Sequence, residues 1–366
     1  MVRLNPKLLY ILLSFIPLCV FLNSLQSGFV YDDIGVIEDN YFIRSLQNIP
    51  KIFSRNYFHL ANELSYRPVV TLTYFLDYTL WRLNPFGYHL TNVVLHTINC
   101  LLLYAVVLRL VRMRSVALFS AILFSIHPCV TEAVNAISYR EDILATLFIF
   151  LSCLCLILSG KKVYYALSLL SYLLSLFSKE TAIVMPLFIL LYWAFFMRKY
   201  PSSLLAVQKD AVNFPSTLRS NSDESFLSAK TGWVRYFTNY YLGYILISFF
   251  YLIIRFIVLK NPLEASVGYI QGSITINFMT MAKILGSYVK LMFLPFHMSA
   301  DYTIAPVLSI FDASFITSLI LLVAVGFIIF KMIHTPVSLH VLNRDRMYGM
   351  FMLCFFAALL PVLNIV

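Results

Sequence analysis

At 366 residues, 60% hydrophobic and only 12% charged, with a mean hydropathy of +0.82, the chain carries more apolar surface than a soluble fold can bury. That excludes a soluble globular enzyme and points to a polytopic α-helical membrane protein. The net charge of +10 does not mark a nucleic-acid binder, because Lys and Arg sit in short clusters between apolar runs, as cytoplasmic loops require. The six cysteines show neither a disulfide framework nor metal-ligand spacing, and Cys153 and Cys155 point away from each other on a helix.

In chain order, the first apolar run, 8–25, follows Arg3 and Lys7 and carries no small-x-small cleavage site. It reads as an uncleaved first span with a cytoplasmic N-terminus. The segment 26–88 is too polar to cross and forms a first external loop. Within it, 44–58 and 68–83 have mixed faces and are expected to be amphipathic helices along the outer surface. Span two, 89–110, ends at Arg109, Arg112 and Arg114, a cytoplasmic mark. Span three, 115–126, stops at His127-Pro128. A polar loop leads to Arg140 and to span four, 142–158, which returns to Lys161-Lys162. Spans five, 163–177, and six, 181–197, flank Lys179-Glu180. The polar segment 200–235 reads as a cytoplasmic linker, and span seven is 236–259.

The segment 260–313 is expected to be a second external loop. Lys283 and Lys290 share a helical face of the run 276–296, and charge near a bilayer centre costs a few kcal/mol, so this run reads as a re-entrant or surface helix. Spans eight, 314–330, and nine, 347–362, complete a bundle of about nine spans. The expectation is a single membrane domain over 1–366. Its polar segments at Asp32-Asp33, 127–142, Lys179-Glu180 and Asp301-Tyr302 would all open on one outer face.

The motifs Tyr31-Asp32-Asp33, Ser65-Tyr66-Arg67-Pro68, Leu72 to Tyr78, Asn84-Pro85-Phe86-Gly87-Tyr88-His89 with Leu95-His96, and His127-Pro128 with Thr131 to Val134 occur in that order. Arg140 with Asp142, Ser178-Lys179-Glu180, Ser299 to Tyr302, and Leu360-Pro361 with Asn364 follow. In these the chain resembles the membrane part of the transmembrane and tetratricopeptide-repeat protein O-mannosyltransferases and their bacterial relatives, in the GT-C glycosyltransferase superfamily. The resemblance implies a GT-C fold that moves a hexose, mannose by family analogy, from a polyprenyl- or dolichyl-phosphate carrier to an acceptor hydroxyl on a protein or glycan. Transfer would occur at the outer or lumenal face. It implies a bacterial inner membrane, or the endoplasmic reticulum in a eukaryote. Members continue with further spans and a tetratricopeptide array, so the expectation is a truncated or minimal form, with a partner chain to supply the C-terminal part.

The residues carry chemistry of that kind. A hydroxyl nucleophile needs a carboxylate to take its proton. By resemblance Asp32 is the base and Asp33 its support; from the residues alone, the pair serves equally as a helix cap or a solvated turn. A leaving lipid phosphate needs positive charge, for which Arg140, Arg67 and Lys179 are the candidates. Their plainer roles are pairing of Arg140 with Glu141 or Asp142, pairing of Arg67 with Glu63, and snorkelling of Lys179 beside Glu180. Asp301, Tyr302, Glu132 and His89 are candidate contacts to sugar or acceptor, against cap, loop-charge and bundle-hydrogen-bond roles. His89, His96 and His127 form a weak ligand set, so no cofactor is assigned and a divalent metal is left open. A transporter or flippase of lipid-linked sugar, or a non-catalytic scaffold, are the rival readings.

Overall fold

The computed structural model describes residues 6–61, 65–159, 161–192, 194–195, 240–258, 269–296, 298–299, 302–334 and 344–359. The linker expected at 200–235 and Asp301 lie outside them. Every regular element among the described residues is a helix, with no strand. Two helices, Pro85–Val111 and Ala313–His334, are long and apolar enough to cross a membrane. A third span results if Arg114–Ile126 and Pro128–Asn135, bent by 54°, count as one. Further apolar helices of 10–17 residues occupy most of the other expected runs.

The chain divides into two compact units, Met1–Ile183 with Gly243–Glu264, and Val184–Leu242 with Ala265–Val366. In the first, α1 (Pro6–Val20) leads into a 3-10 turn at Leu22–Gln26, the acidic turn, and a π-turn at Ile34–Glu38. The stretch expected to be a surface helix over 44–58 is instead the end of a 3-10 turn at Tyr41–Arg44, a 3-10 helix at Leu46–Phe53, and the start of α2 (Tyr57–Ala61). Pro50 removes a backbone donor and prevents a continuous α-helix there. Asn40 ties these pieces together: its Oδ1 accepts from the Phe42 amide, and its Nδ2 donates to the carbonyls of Val36 and Ala61.

Helix α3 (Pro68–Trp81) begins on a proline at a position whose amide needs no partner. It is embedded more deeply than the surface helix expected over 68–83. Val70, Tyr74 and Phe75 join Ile37, Phe42, Ile43, Ile52 and Tyr57 in one core, because the segment ahead of it folds over its apolar face. Arg82, at φ 54°, makes a left-handed corner, and Asn84 caps α4 (Pro85–Val111) by accepting from the Phe86 amide. Gly87 is required at this corner: a Cβ there would sit 2.0–2.4 Å from the Trp81 indole. Helix α5 (Arg114–Ile126) ends at His127, whose Nδ1 accepts from the Cys129 amide. A short α6 (Thr131–Asn135) follows, then α7 (Arg140–Ile157), α8 (Lys162–Leu176) and a 3-10 turn at Glu180–Val184; α9 (Met185–Tyr192) belongs to the second unit. Helix α10 (Leu242–Leu252), followed by a π-turn at Ile253–Val258, meets α8 through buried hydroxyl pairs, Ser168–Tyr244 and Tyr172–Ser248, each at 2.6 Å.

In the second unit, α11 (Ile274–Phe293) is a 20-residue helix. It packs on α12 (Ala313–His334) where Gly286 leaves room for Ser318. Lys283 Nζ donates to the Ala305 carbonyl at 3.1 Å, and the Thr280 hydroxyl accepts from the Val307 amide at 3.0 Å. Asp312 caps α12, accepting from the Ser314 and Phe315 amides. Helix α13 (Arg344–Leu359) follows.

Candidate functional site

The two adjacent carboxylates do different things. Asp33 is fully buried: its Oδ1 accepts from the Ser138 amide at 2.7 Å and its Oδ2 from the Val30 amide at 3.2 Å. It thereby staples the acidic turn to the loop that precedes α7. Asp32 is exposed, and its carboxylate makes no hydrogen bond or ion pair among the described residues. Tyr31, at φ 49°, holds the left-handed conformation that lets Asp33 turn inward while its own ring stays open to solvent. Asp32 acts on its surroundings through charge. Tyr139, across the turn, has its phenol pKa raised by burial first, and then by the charges of Glu132, Asp32 and Glu141.

The loop carrying Ser138 is held from every side. Asn92 Nδ2 donates to the carbonyls of Val134 and Ala136, and the Tyr74 hydroxyl donates to the Ile137 carbonyl. Arg140 completes the anchorage. It is fully buried, with Nη1 2.6 Å from Asp77 Oδ2 and donating to Thr73 Oγ1 at 3.0 Å. Its Nε donates to Asn92 Oδ1 at 2.6 Å, its Nη2 to the Tyr88 carbonyl at 3.0 Å, and its guanidinium lies 5.0 Å from the centre of the Tyr74 ring. Its partner is therefore Asp77 and not Glu141 or Asp142. Asp77, also bonded by the Thr91 hydroxyl, has its pKa raised by burial, against the pull of Arg140.

Lys179 and Arg67 stand in a second, more open ion network. Arg67 Nη1 meets Glu141 Oε2 at 2.8 Å, and its Nε lies 3.9 Å from Glu180. Lys179 Nζ meets Asp142 Oδ2 at 2.6 Å and Glu141 Oε1 at 3.3 Å. Arg255 joins through Glu180 at 3.5 Å. The chain thus brings Lys179 to residues 37 and 38 positions earlier, and Glu63 lies outside the described residues. Burial alone would lower the Lys179 pKa; the Asp142 and Glu141 carboxylates outweigh it and lift the ammonium above its ordinary value. Glu180 behaves in the mirror sense: burial would raise it, but a backbone amide, Arg255 and Arg67 hold its carboxyl below the usual range.

Beside this network a cavity of about 310 Å³ opens between α4, α5 and α7, with Glu132, Tyr139 and Asp142 among its walls. Glu132 has its pKa raised, first by loss of water and then by the Asp142 charge, with Lys179 opposing. His89 is buried, its ring turned to the backbone of Ser27 and Gly28. Tyr302, in the second unit, is exposed and its hydroxyl accepts from the Ser299 amide. No group of three or more His, Cys, Asp or Glu among the described residues is placed to hold a metal ion.

Sequence reasoning missed Asp77, Glu141 and Arg255 as members of these ion networks. One signal was present in the apolar run itself. His89, Asn92, His96 and Asn99 recur at intervals of three and four, a polar stripe along one face of α4, and all four are buried.

Comparison with known proteins is consistent in kind. The chain is 34% identical to the protein O-mannosyl-transferase F38B6.6 of Caenorhabditis elegans, over 48% of this chain and 26% of that one. It is 32% identical to the mouse protein O-mannosyl-transferase TMTC3, over 40% of this chain and 16% of the relative. The figures for mouse TMTC2 are 34%, 39% and 18%. The chain therefore spans about a quarter or less of the length of these curated relatives. These relatives are animal proteins, which gives the expected bacterial inner membrane no support. No family model and no solved structure matches. Over the part that aligns, the chain is similar in sequence to protein O-mannosyl-transferases of the TMTC type.

Proposed function

We propose that the chain is the catalytic membrane part of a glycosyltransferase of the GT-C type, about nine spans in one membrane domain. It passes a hexose, mannose by analogy with the names of its relatives, from a polyprenyl- or dolichyl-phosphate to an acceptor hydroxyl at the outer or lumenal face of a eukaryotic membrane, the endoplasmic reticulum. The acceptor is a protein or a glycan.

The observation that carries this reading is the division of labour at the acidic turn. A buried carboxylate holds the turn, and the exposed one beside it is left for chemistry. In an inverting displacement the acceptor oxygen bonds to the sugar C1 as the C1–O bond to phosphate breaks. The electron pair leaves on the phosphate, and Asp32 takes the hydroxyl proton. Lys179 and Arg67, each partly open to solvent, supply the positive charge for the departing phosphate. Arg140 then acts as a positioning residue, fixing the loop on which Ser138 and Tyr139 stand. Glu132, His89, Asp301 and Tyr302 remain proposed contacts to the sugar or acceptor.

Sugar transfer in vesicles, with a polyprenyl-phosphate hexose donor and a hydroxyl acceptor, tests the reading. Transfer lost in Asp32→Asn is the expected result. Transfer unchanged in that variant removes the mechanism, and movement of donor across the bilayer without transfer makes the protein a flippase.

A further inference from the structure

The cavity between α4, α5 and α7 has a chemistry of its own. Its inner wall is apolar, with Phe124, Val134 and Ile143, and its polar wall sets the acceptors of Glu132, Asp142 and Asn99 beside the hydroxyls of Tyr139 and Thr146. Glu132 and Asp142 bring carboxylates. Asn99 brings a side chain that is 1% exposed and only half satisfied: its Nδ2 donates to the Ile143 carbonyl at 2.9 Å, and its Oδ1 has no hydrogen-bond partner among the described residues. The Nδ2 bond fixes which end of the amide is which, so the acceptor is the end left over. A buried acceptor without a donor costs about 1–3 kcal/mol, which a protein recovers only when a ligand or water supplies the hydrogen. Asp142 is paired with Lys179 while Glu132 makes no ion pair among the described residues, so the Glu132 side of the wall disfavours an anion. The apolar floor, hydrogen-bonding groups of both kinds and a volume at the low end for small-ligand sites of roughly 300–1,000 Å³ describe a compact neutral molecule rich in hydroxyls.

We infer that this cavity binds the hexose itself, with Asn99 Oδ1, Glu132 and Asp142 accepting from its hydroxyls and the apolar wall against the face of the ring. The inference rests on the glycosyltransferase reading and adds to it the place of the sugar. Tyr139, which lines the cavity and feels the charge of Asp32, links this pocket to the acidic turn. Lys179, bonded to Asp142, stands on the same rim, where a phosphate attached to the sugar C1 would emerge.

The test is saturation-transfer NMR on the full chain in nanodiscs, with methyl α-mannopyranoside and methyl α-glucopyranoside as probes. Transfer of magnetisation to a hexose is expected in the wild type. It should fall at least tenfold in Ala133→Leu, which fills the cavity, and in Glu132→Gln, an exposed position whose change leaves the fold intact. A signal that survives both substitutions overturns the inference. So does a signal that Ca²⁺ abolishes and chelator restores, since the carboxylates then serve a cation. Vesicle transfer assays on the same samples separate the two readings: transfer without cavity-dependent binding removes only the sugar site, and cavity-dependent binding without transfer removes only the transferase.

Discussion

Asp32→Asn and Asp33→Asn differ by one position and should differ in kind. At Asp33 the substitution keeps the shape but not the bonding. One oxygen can still accept from Ser138, now as a neutral bond, while the other end becomes an NH₂ that faces the Val30 amide, donor against donor. A hydrogen bond to a charged group contributes about 1.5–3 kcal/mol, and an orphaned buried donor costs about 1–3 kcal/mol. Together these put Asp33→Asn about 2–4 kcal/mol below the wild type. Asp32 has no such bonds, and a surface substitution of this sort stays within about 0.5 kcal/mol. Its effect should instead be on rate, since loss of a general base costs about 10²–10⁴-fold. Unfolding in mixed micelles by increasing SDS measures the first quantity, and initial rates of sugar transfer in vesicles measure the second. Equal destabilisation by the two variants would refute the assignment of Asp33 as the staple, whatever the transfer assay reports.

Arg140→Met leaves Asp77 buried without its cation and should cost about 3–5 kcal/mol by the same unfolding assay, while Arg140→Met with Asp77→Leu should recover most of that; a double variant as unstable as the single would sink this account. Gly87→Ala should cost about 1–3 kcal/mol through collision with the Trp81 ring, and Trp81→Leu in the same chain should relieve it, as thermal unfolding would record. Glu180, whose folded pKa is depressed, contributes stability at and above the ordinary glutamate range and loses it as pH falls through its lowered value. The stability gap between wild type and Glu180→Gln should therefore be open at pH 7 and close below roughly pH 4; a gap independent of pH contradicts the network. Lys179 works in the opposite sense. Its raised pKa keeps its contribution whole through neutral pH, to be lost only as pH rises through its elevated value.

What could be read without the structure followed from local rules. Apolar runs broken by Arg109-Arg112-Arg114 or His127-Pro128 place helix ends within a few residues, because a charge cluster and a proline act where they stand in the chain. The acidic turn was legible for a similar reason, as two carboxylates just past an apolar helix. The partnerships were not. Arg140 has two carboxylates directly after it in sequence and pairs with neither, choosing Asp77 on a helix 63 positions away. At the first turn of α7 the side chains of 140, 141 and 142 point in three directions, toward α3, toward Arg67 and toward Lys179. The same limit explains why α3 reads as a surface helix: its mixed composition is plain, but the segment that folds over it is recognisable only once Ile37, Ile43 and Ile52 are seen on its face.

The bond from Asp33 to Ser138 closes 105 residues of chain. During synthesis at about 5–20 residues per second, the acidic turn therefore waits roughly 5–20 s after it leaves the ribosome before its anchoring amide exists. Through that interval both carboxylates are solvated and the turn has no reason to hold Tyr31 in its left-handed pose. The exposed acid acquires its setting only when α3, α4 and the head of α7 have met, so a half-made chain inserted in the membrane carries the residues of the site but not the site. Whatever chemistry Asp32 performs is thereby withheld until assembly of the unit is finished.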